Sequence, residues 1–176
     1  MIPPGGLKPF EPRFCEACGG PLERRMVLDR TRLVCRQCGY VMYQNIRVGA
    51  SVLINMGQQA VVLTRRSINP GFDYWVLPGG YAERGETVAD AARREAREET
   101  GLEVQLGGVL GVYSYAHSSV AVVVYLARPD GGRLLPSSDE CFEIRAFRPD
   151  DIPWDRIAFW SSRDALHDYY ARPGGT

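Results

Sequence analysis

Three glutamates on one predicted helix are the residues of this chain best suited to bind a divalent cation. Residues 93–99 read Arg-Arg-Glu-Ala-Arg-Glu-Glu, which places carboxylates at Glu95, Glu98 and Glu99. Each residue of an α-helix turns the side-chain direction by about 100°, so the three carboxylates project within one stripe. Crowded carboxylates repel one another, and a hard cation such as Mg²⁺ relieves that repulsion while leaving coordination positions for water and phosphate. The alternative is a solvated helix face on which Arg94 pairs with Glu98.

Four of the five cysteines form two Cys-x-x-Cys pairs, namely Cys15 with Cys18 and Cys35 with Cys38. Four thiolates can close a tetrahedral zinc site without an open coordination position, which makes such a site structural rather than catalytic. The segment of about residues 11–43 is too short to form a stable core alone, so zinc binding would supply its folding free energy. Reduced cysteines without metal are the alternative. Cys141 is expected to be an ordinary, fairly buried thiol.

The sequence also predicts the elements that position these groups. Residues 87–100 lack proline and glycine and are followed by Gly101, which predicts a helix carrying the glutamates. A second helix is expected at 161–170, and strands are expected at 46–55, 58–64, 74–77, 102–115, 118–128 and 143–147. The first two strands should be joined by a tight turn, with a loop at 78–80 and a turn at 129–132. Strands outnumber helices and mostly follow one another as hairpins, which predicts a mixed α/β fold.

Length and charge narrow the class of protein. The chain has 176 residues, 45% of them apolar, enough for one domain and a smaller second unit. Its 21 basic residues equal its 21 acidic ones, and this balance disfavours nucleic acid as a partner. The longest apolar run, 120–127, is far shorter than the roughly 20 residues of a membrane span. The first 13 residues lack the apolar stretch of a signal peptide, so we expect a cytoplasmic protein without a membrane partner.

Residues before the helix extend the glutamate pattern into a longer motif. From Gly80 the chain reads Gly80-x5-Glu86-x7-Arg94-Glu95-Ala96-x-Glu98-Glu99-x-Gly101-Leu102, which resembles the Nudix box. Residues 75–80, the four-cysteine segment with 40–45, and residues 143–147 with 151–159 resemble Nudix pyrophosphatases that act on FAD and ADP-ribose. Ala96 departs from the pattern, where a larger aliphatic residue is usual. The resemblance implies a Nudix α/β/α sandwich with a mixed sheet over 44–176, preceded by a tail and zinc ribbon over 1–43.

The family resemblance implies a reaction and the residues that support it. The reaction is hydrolysis of the pyrophosphate bond of a nucleoside diphosphate linked to another group, with FAD or ADP-ribose the expected substrate. Mg²⁺ or Mn²⁺ would be bound by the three helix glutamates and the carbonyl of Gly80, and a bound water would attack phosphorus.

Other residues near the motif have expected supporting roles. Arg94 would orient a glutamate, and Glu86 would support the loop or a metal-bound water. Glu140 or Glu143 could be the general base. For Glu143, a charged residue on the exposed face of a strand is the alternative.

Candidate substrate contacts lie at predicted strand ends and turns. Arg65 and Arg66 could meet phosphates, with a pair of exposed arginines as the alternative. Tyr115 and His117 are preferred for contact with a flat ring, and Glu143 is a further candidate. The other rings that could stack on adenine or flavin are Phe72, Tyr74, Tyr113, Phe159 and Trp160.

Several alternatives stay open at this point. NADH pyrophosphatases also pair a zinc ribbon with a Nudix domain, but they carry a Ser-Gln-Pro-Trp-Pro-Phe-Pro string where residues 113–119 read Tyr-Ser-Tyr-Ala-His-Ser-Ser. NADH is therefore the second expectation, after a dinucleotide such as FAD or a nucleotide sugar such as ADP-ribose. A non-catalytic nucleotide sensor and a nucleic-acid-binding ribbon are alternatives of another class. The complete glutamate set argues against a sensor, and the resemblance implies a homodimer.

Overall fold

The computed structural model of the chain describes residues 11–116, 118–135 and 140–172. These residues form two compact units, which meet in sequence between Asn45 and Ile46. The expectation from sequence put this boundary between residues 43 and 44. His117, an expected substrate contact, lies outside the described residues.

The first unit is built on a small antiparallel sheet. Its strands are β1 (Leu22–Val27), β2 (Arg30–Cys35) and β3 (Val41–Met42), in the order β1-β2-β3. Leu28 and Asp29 form the turn between β1 and β2, since Val27 pairs with Arg30. One turn, at residues 16–18, joins Cys15 to Cys18, and another, at 36–38, follows Cys35 at the end of β2 and contains Cys38.

The described residues of the second unit form two sheets and two α-helices. Its elements are β4 (Arg47–Ile54), β5 (Val61–Arg66), β6 (Trp75–Val76), β7 (Gly79–Tyr81), α1 (Val88–Thr100), β8 (Leu102–Ser114), β9 (Val120–Gly132), β10 (Cys141–Phe147) and α2 (Trp160–Ala171). One sheet has the order β7-β4-β9-β8, in which β4 and β9 are parallel and the other pairs antiparallel. The other sheet, β10-β5-β6, is antiparallel. The predicted mixed α/β fold is confirmed.

The helices pack against two separate hydrophobic clusters. Val52 and Ile54 of β4 join the cluster under α1, whereas Leu53 joins the cluster that contains Leu166 of α2. Side chains of a strand alternate between its two faces, so the two clusters lie on opposite faces of β4. This is the layered arrangement expected for the sandwich. Ala96, fully buried, belongs to the α1 cluster, where its small side chain suits close packing of the helix on the sheet.

Helix α1 begins and ends where the sequence predicts. The Thr87 hydroxyl caps its first turn by accepting a hydrogen bond from the backbone N–H of Asp90 at 3.1 Å. Gly101 ends the helix at φ +72°, a left-handed conformation that favours glycine, and its N–H donates to the Arg97 carbonyl.

The tight turn expected between the first two strands is present: the Met56 N–H donates to the Ala60 carbonyl, and the Asn55–Val61 bridge closes the turn. The two strands nevertheless belong to different sheets, because β4 is paired with β7 and β9 on its two edges. Two expectations about loops are wrong. Residues 79 and 80 lie in strand β7 rather than in a loop. Residues 129–132 continue β9 instead of forming a turn, and a register shift between Glu103 and Val104 accommodates them. Within the described ranges, neither helix is long and apolar enough to cross a membrane.

Candidate active site and zinc site

The four paired cysteines converge in the first unit. Their sulfur atoms all lie within 4.8 Å of one another. The Sγ atoms of Cys15 and Cys38 are 3.8 Å apart, and those of Cys18 and Cys35 are 3.5 Å apart. Tetrahedral zinc with Zn–S bonds of about 2.3 Å needs sulfur separations of about 3.8 Å, whereas a disulfide needs about 2.05 Å. The sulfur arrangement therefore fits a zinc ion and no disulfide among these four residues.

Backbone groups prepare the sulfurs for metal binding. Gly19 and Gly39 both have φ +73°, and their N–H groups donate to the carbonyls of Cys15 and Cys35 as the chain turns past each pair. The backbone N–H groups of Cys38 and Gln37 donate to the sulfur of Cys35 and lower the pKa of that thiol to about 6. A thiolate is the metal-binding form of cysteine, so these hydrogen bonds favour the ligand state.

The three helix glutamates differ in their exposure to solvent. Glu99 is buried, Glu95 has a side chain 14% exposed, and Glu98 has one 48% exposed. The stripe predicted from helical spacing is thus present, with one end inside the protein and the other at the surface. Glu99 accepts a hydrogen bond from the backbone N–H of Gly79 at 3.0 Å.

The double glycine of β7 lets the strand run directly beside the carboxylates. A Cβ atom at Gly80 would lie only 2.4 Å from Oε1 of Glu95, so no other residue type fits there without displacing that carboxylate. A Cβ atom at Gly79 would lie 2.4 Å from the Ala50 carbonyl oxygen. The glycines therefore allow the backbone to approach both Glu95 and β4.

Burial raises the pKa values of the two inner carboxylates. The pKa of Glu99 is raised to about 7, chiefly by its burial, and that of Glu95 is raised for the same reason. The negative charge of Glu140 raises both pKa values further, whereas the charge of Arg66 lowers that of Glu99. Two desolvated oxygen ligands beside each other are the donor set that a hard cation prefers.

Arg94 fixes the positions of the glutamates around it. Its guanidinium donates two hydrogen bonds to Glu86, at 2.8 and 3.1 Å, and one each to Glu95 at 2.8 Å and Glu98 at 3.0 Å. It also donates to the carbonyl of Tyr81, which ties α1 to β7. The Arg94–Glu98 pair of the solvated-face alternative is thus present, but as part of a larger network that orients two of the three glutamates.

Glu86 holds the loop between β7 and α1. Its carboxylate accepts from Arg94 and from the backbone N–H of Glu83 at 2.7 Å, and the Arg94 guanidinium lowers its pKa. These contacts tie the loop to α1, and the two roles expected for Glu86 stay predictions.

The second sheet brings further charged residues toward the site. Arg66 donates to the Pro70 carbonyl at 2.8 Å, and its guanidinium lies over the ring of Phe159. Glu143 accepts from Arg65, at 3.1 Å, on the neighbouring strand β5. The charge of Glu140 acts on both inner glutamates, whereas Glu143 is held by a guanidinium. Glu140 and Glu143, the two candidates for the general base, thus have different surroundings.

The aromatic residues expected to contact the substrate differ in whether they are tied to α2 or exposed. Tyr113 and Tyr115 donate their hydroxyl hydrogens to Asp168 and Asp164 of α2, at 2.8 and 2.6 Å, so both rings help to attach that helix to β8. Phe72 is half-exposed and lies edge-on to Phe142, with ring centroids 5.2 Å apart. Sequence reasoning missed Phe142, because an aromatic residue in a strand gives no local sign that it will be exposed.

The family of the chain follows from comparison with known proteins. Residues 45–169 match the NUDIX domain model, and residues 13–44 match the Nudix N-terminal model, a zinc ribbon. The chain is 33% identical to an ADP-ribose pyrophosphatase of Methanocaldococcus jannaschii over 68% of its own length and 71% of that protein. It is 30% identical to a NAD-capped RNA hydrolase NudC of Pseudomonas aeruginosa over 93% of its own length and 57% of that protein.

A solved structure is similar along most of the chain. The crystal structure of a NUDIX hydrolase from Nitrosomonas europaea has a TM-score of 0.83 and 32% identity, covering 90% of this chain and 89% of that one. The chain spans only about half the length of the NudC relatives it matches. These matches agree with the motif at 80–102 and with the paired cysteines: the chain belongs to the Nudix family and carries a Nudix N-terminal zinc ribbon before its Nudix domain.

Proposed function

We propose that the chain hydrolyses the pyrophosphate bond of a nucleotide sugar or dinucleotide that contains an ADP-ribosyl group. The observation that carries this proposal is the burial of Glu95 and Glu99 against the glycine strand β7, with Glu98 at the surface end of the same stripe. Carboxylates on a purely solvating helix face would all lie in water. A site for a divalent cation needs oxygen ligands inside the protein and an open side toward the substrate.

The proposed ligands of Mg²⁺ or Mn²⁺ are Glu95, Glu98, Glu99 and the carbonyl of Gly80. Their oxygen donors suit these hard cations, which seldom take sulfur or nitrogen ligands in such sites. A cation bound there supplies neutralising charge for the two phosphates and makes a bound water nucleophilic near neutral pH.

The chain's own residues hold this arrangement in place. Arg94 fixes one oxygen of Glu95 and one of Glu98, while Glu86 holds the loop through Arg94 and Glu83. Preorganised groups of this kind cost little reorganisation when charge develops in the reaction. Mutation of Arg94 would therefore loosen the ligands without removing one.

Glu140 is the better candidate for the general base. Its charge acts on Glu95 and Glu99, which supports a position close to the proposed metal-bound water, whereas Glu143 is bound to Arg65. Glu143 would have to leave Arg65 before it could turn toward that water. Arg66, whose charge lowers the pKa of Glu99, is the proposed contact for a substrate phosphate.

The relatives narrow the class of substrate. One is named for ADP-ribose and others for the NAD cap of RNA, and both molecules contain an ADP-ribosyl group. FAD shares the AMP half but has riboflavin on the other side of the pyrophosphate. We therefore place ADP-ribose and NAD first, with AMP plus ribose 5-phosphate or nicotinamide mononucleotide as products. FAD, a cytoplasmic location and a homodimer stay predictions.

A product-scored substrate panel tests this function. The chain would be incubated with ADP-ribose, NAD, NADH, FAD and diadenosine polyphosphates, each with Mg²⁺, with Mn²⁺ and with a chelator. We expect metal-dependent release of AMP from ADP-ribose or NAD, faster than from FAD. The absence of hydrolysis across the panel, together with tight binding of one compound, would show a sensor and overturn the proposal.

A further inference from the structure

One face of the ribbon sheet concentrates positive charge. Alternate residues of a strand share a face, and Arg25 of β1 lies directly opposite Arg32 of β2. Arg36 lies just beyond the end of β2, and Tyr43 follows β3. We call this surface the arginine face, and its residues are Glu23, Arg25, Arg30, Arg32, Arg36 and Tyr43.

The charges on the arginine face are not balanced within the described residues. Its one carboxylate, Glu23, is shared by Arg25 and Arg36, each at 2.6 Å. Arg30 and Arg32 form no ion pair with any described residue. Like charges directly opposite each other destabilise a pair of strands, and Arg25 is paired with Glu23 whereas Arg32 has no such partner, so an external anion at Arg32 would reduce the repulsion.

Arg32 and Tyr43 form a combined charged and flat surface. The Arg32 guanidinium lies 4.6 Å above the centroid of the Tyr43 ring, which is 54% exposed. The Nε atom of Arg32 is buried and has no hydrogen-bond partner among the described residues.

Single-stranded nucleic acid matches both features of this surface. Guanidinium groups bind phosphates, and bases stack on aromatic rings and on arginine planes. An acidic peptide would balance the charge but would leave the exposed ring without a flat partner. We propose that the arginine face binds the single-stranded RNA chain attached to a dinucleotide cap. The part of this inference that concerns the dinucleotide cap rests on the proposed function.

The zero net charge of the whole chain does not reveal the arginine face, because it averages over both units. Residues 11–45 contain six arginines against three glutamates and one aspartate, while the rest of the chain carries the compensating acidic excess. The expectation that nucleic acid is disfavoured was drawn from the whole-chain average. Binding depends instead on charge gathered along one face.

A matched set of variants tests the arginine face in the full, zinc-loaded chain. Arg30→Ala and Arg32→Ala each remove one charge from the face, and Tyr43→Leu removes the ring. Arg24→Ala is the control, because Arg24 points from the opposite face of β1, where it pairs with Glu11. Zinc content and melting temperature would confirm that each variant is folded.

The binding probe is a fluorescent, uncapped, single-stranded RNA of 20 nucleotides with a 5′-monophosphate. Its Kd would be measured at several salt concentrations. We expect Arg30→Ala and Arg32→Ala each to raise the Kd about fivefold or more. The slope of log Kd against log salt concentration should also fall by about one in each variant. Tyr43→Leu should weaken binding by about fivefold or more. Arg24→Ala should change the Kd less than about twofold.

Kinetics separate this inference from the proposed function. The arginine variants should raise the KM for NAD-capped RNA and leave kcat and the hydrolysis of free NAD unchanged. If free NAD is not hydrolysed but the face binds RNA as expected, only the proposed function fails. If NAD is hydrolysed and Arg24→Ala weakens RNA binding as much as Arg32→Ala, the inference is wrong. Binding of polyglutamate as tight as that of RNA would also overturn it, in favour of an acidic protein partner.

Discussion

Substitution of Gly80 by alanine should reduce catalysis while leaving the fold intact. The new Cβ would lie 2.4 Å from Oε1, 2.6 Å from Cδ and 2.8 Å from Oε2 of Glu95. Ordinary contact begins at 3.4 Å, so the carboxylate must move by about 1 Å. Because this carboxylate is the far end of a flexible side chain, the movement costs little stability. A 1 Å displacement of a catalytic group can cost about 100-fold in rate, or about 2.7 kcal/mol of transition-state stabilisation.

Two neighbouring glycines provide the controls for Gly80→Ala. A Cβ at Gly49, on the adjacent strand β4, would meet its nearest atoms at 3.5 Å, so Gly49→Ala should be close to wild type. A Cβ at Gly79 would meet the Ala50 carbonyl at 2.4 Å and Cα of Ser51 at 2.7 Å, and Gly79 has φ +154°. Backbone atoms cannot move aside as a side chain can. Gly79→Ala should therefore lower the melting temperature as well as the activity.

The assay is turnover of ADP-ribose or NAD as a function of Mg²⁺ concentration, with a thermal melt of each variant. Gly80→Ala should lower kcat about 100-fold and shift the Mg²⁺ dependence to higher concentration, at an unchanged melting temperature. Wild-type kcat and Mg²⁺ dependence in Gly80→Ala would show that the position of Glu95 does not matter to the reaction. A fall in melting temperature equal to that of Gly79→Ala would show that the activity is lost through unfolding.

Three further predictions concern the glutamate stripe, the ribbon and the helix start. Glu98→Gln should lower kcat by about 100-fold or more at constant melting temperature, since this side chain is half-exposed; wild-type turnover would contradict the metal role. Metal analysis of the purified chain should find one zinc, and Cys35→Ser should lose it, whereas zinc retained by Cys35→Ser would exclude the four-sulfur site. Thr87→Ala should lower the free energy of unfolding in urea by about 1 kcal/mol, and Thr87→Ser should not; equal losses would show that the cap hydroxyl is not the cause.

The helix and the zinc site could be predicted because their signals are local. Gly101 ends α1 because a left-handed residue is required there, and this requirement is visible in the sequence alone. The cysteine pairs are predictable for a similar reason, since each pair sits in its own turn. In the structure all four sulfurs lie within 4.8 Å, as two such turns facing one ion require.

The strand pairings could not be predicted, because they depend on distant segments. Residues 46–55 and 58–64 look like a hairpin locally, yet β4 pairs with β9, more than 70 residues later in the chain. The same limit applies to the choice between Glu140 and Glu143. Arg65 holds Glu143 only because β5 and β10 are neighbours, and nothing in either segment reveals that pairing.

The surroundings of the glutamates favour the proposed metal site over the solvated helix face. Arg94 does pair with Glu98, as the solvated-face interpretation requires, but a face of that kind leaves its carboxylates in water. Here Glu99 is buried, and burial raises its pKa to about 7. Burying a carboxylate costs free energy unless a cation or several donors compensate it, and the hydrogen bond from Gly79 supplies only one donor. The proposed cation between Glu95, Glu98 and Glu99 would provide that compensation, which a fully solvated helix face would not need.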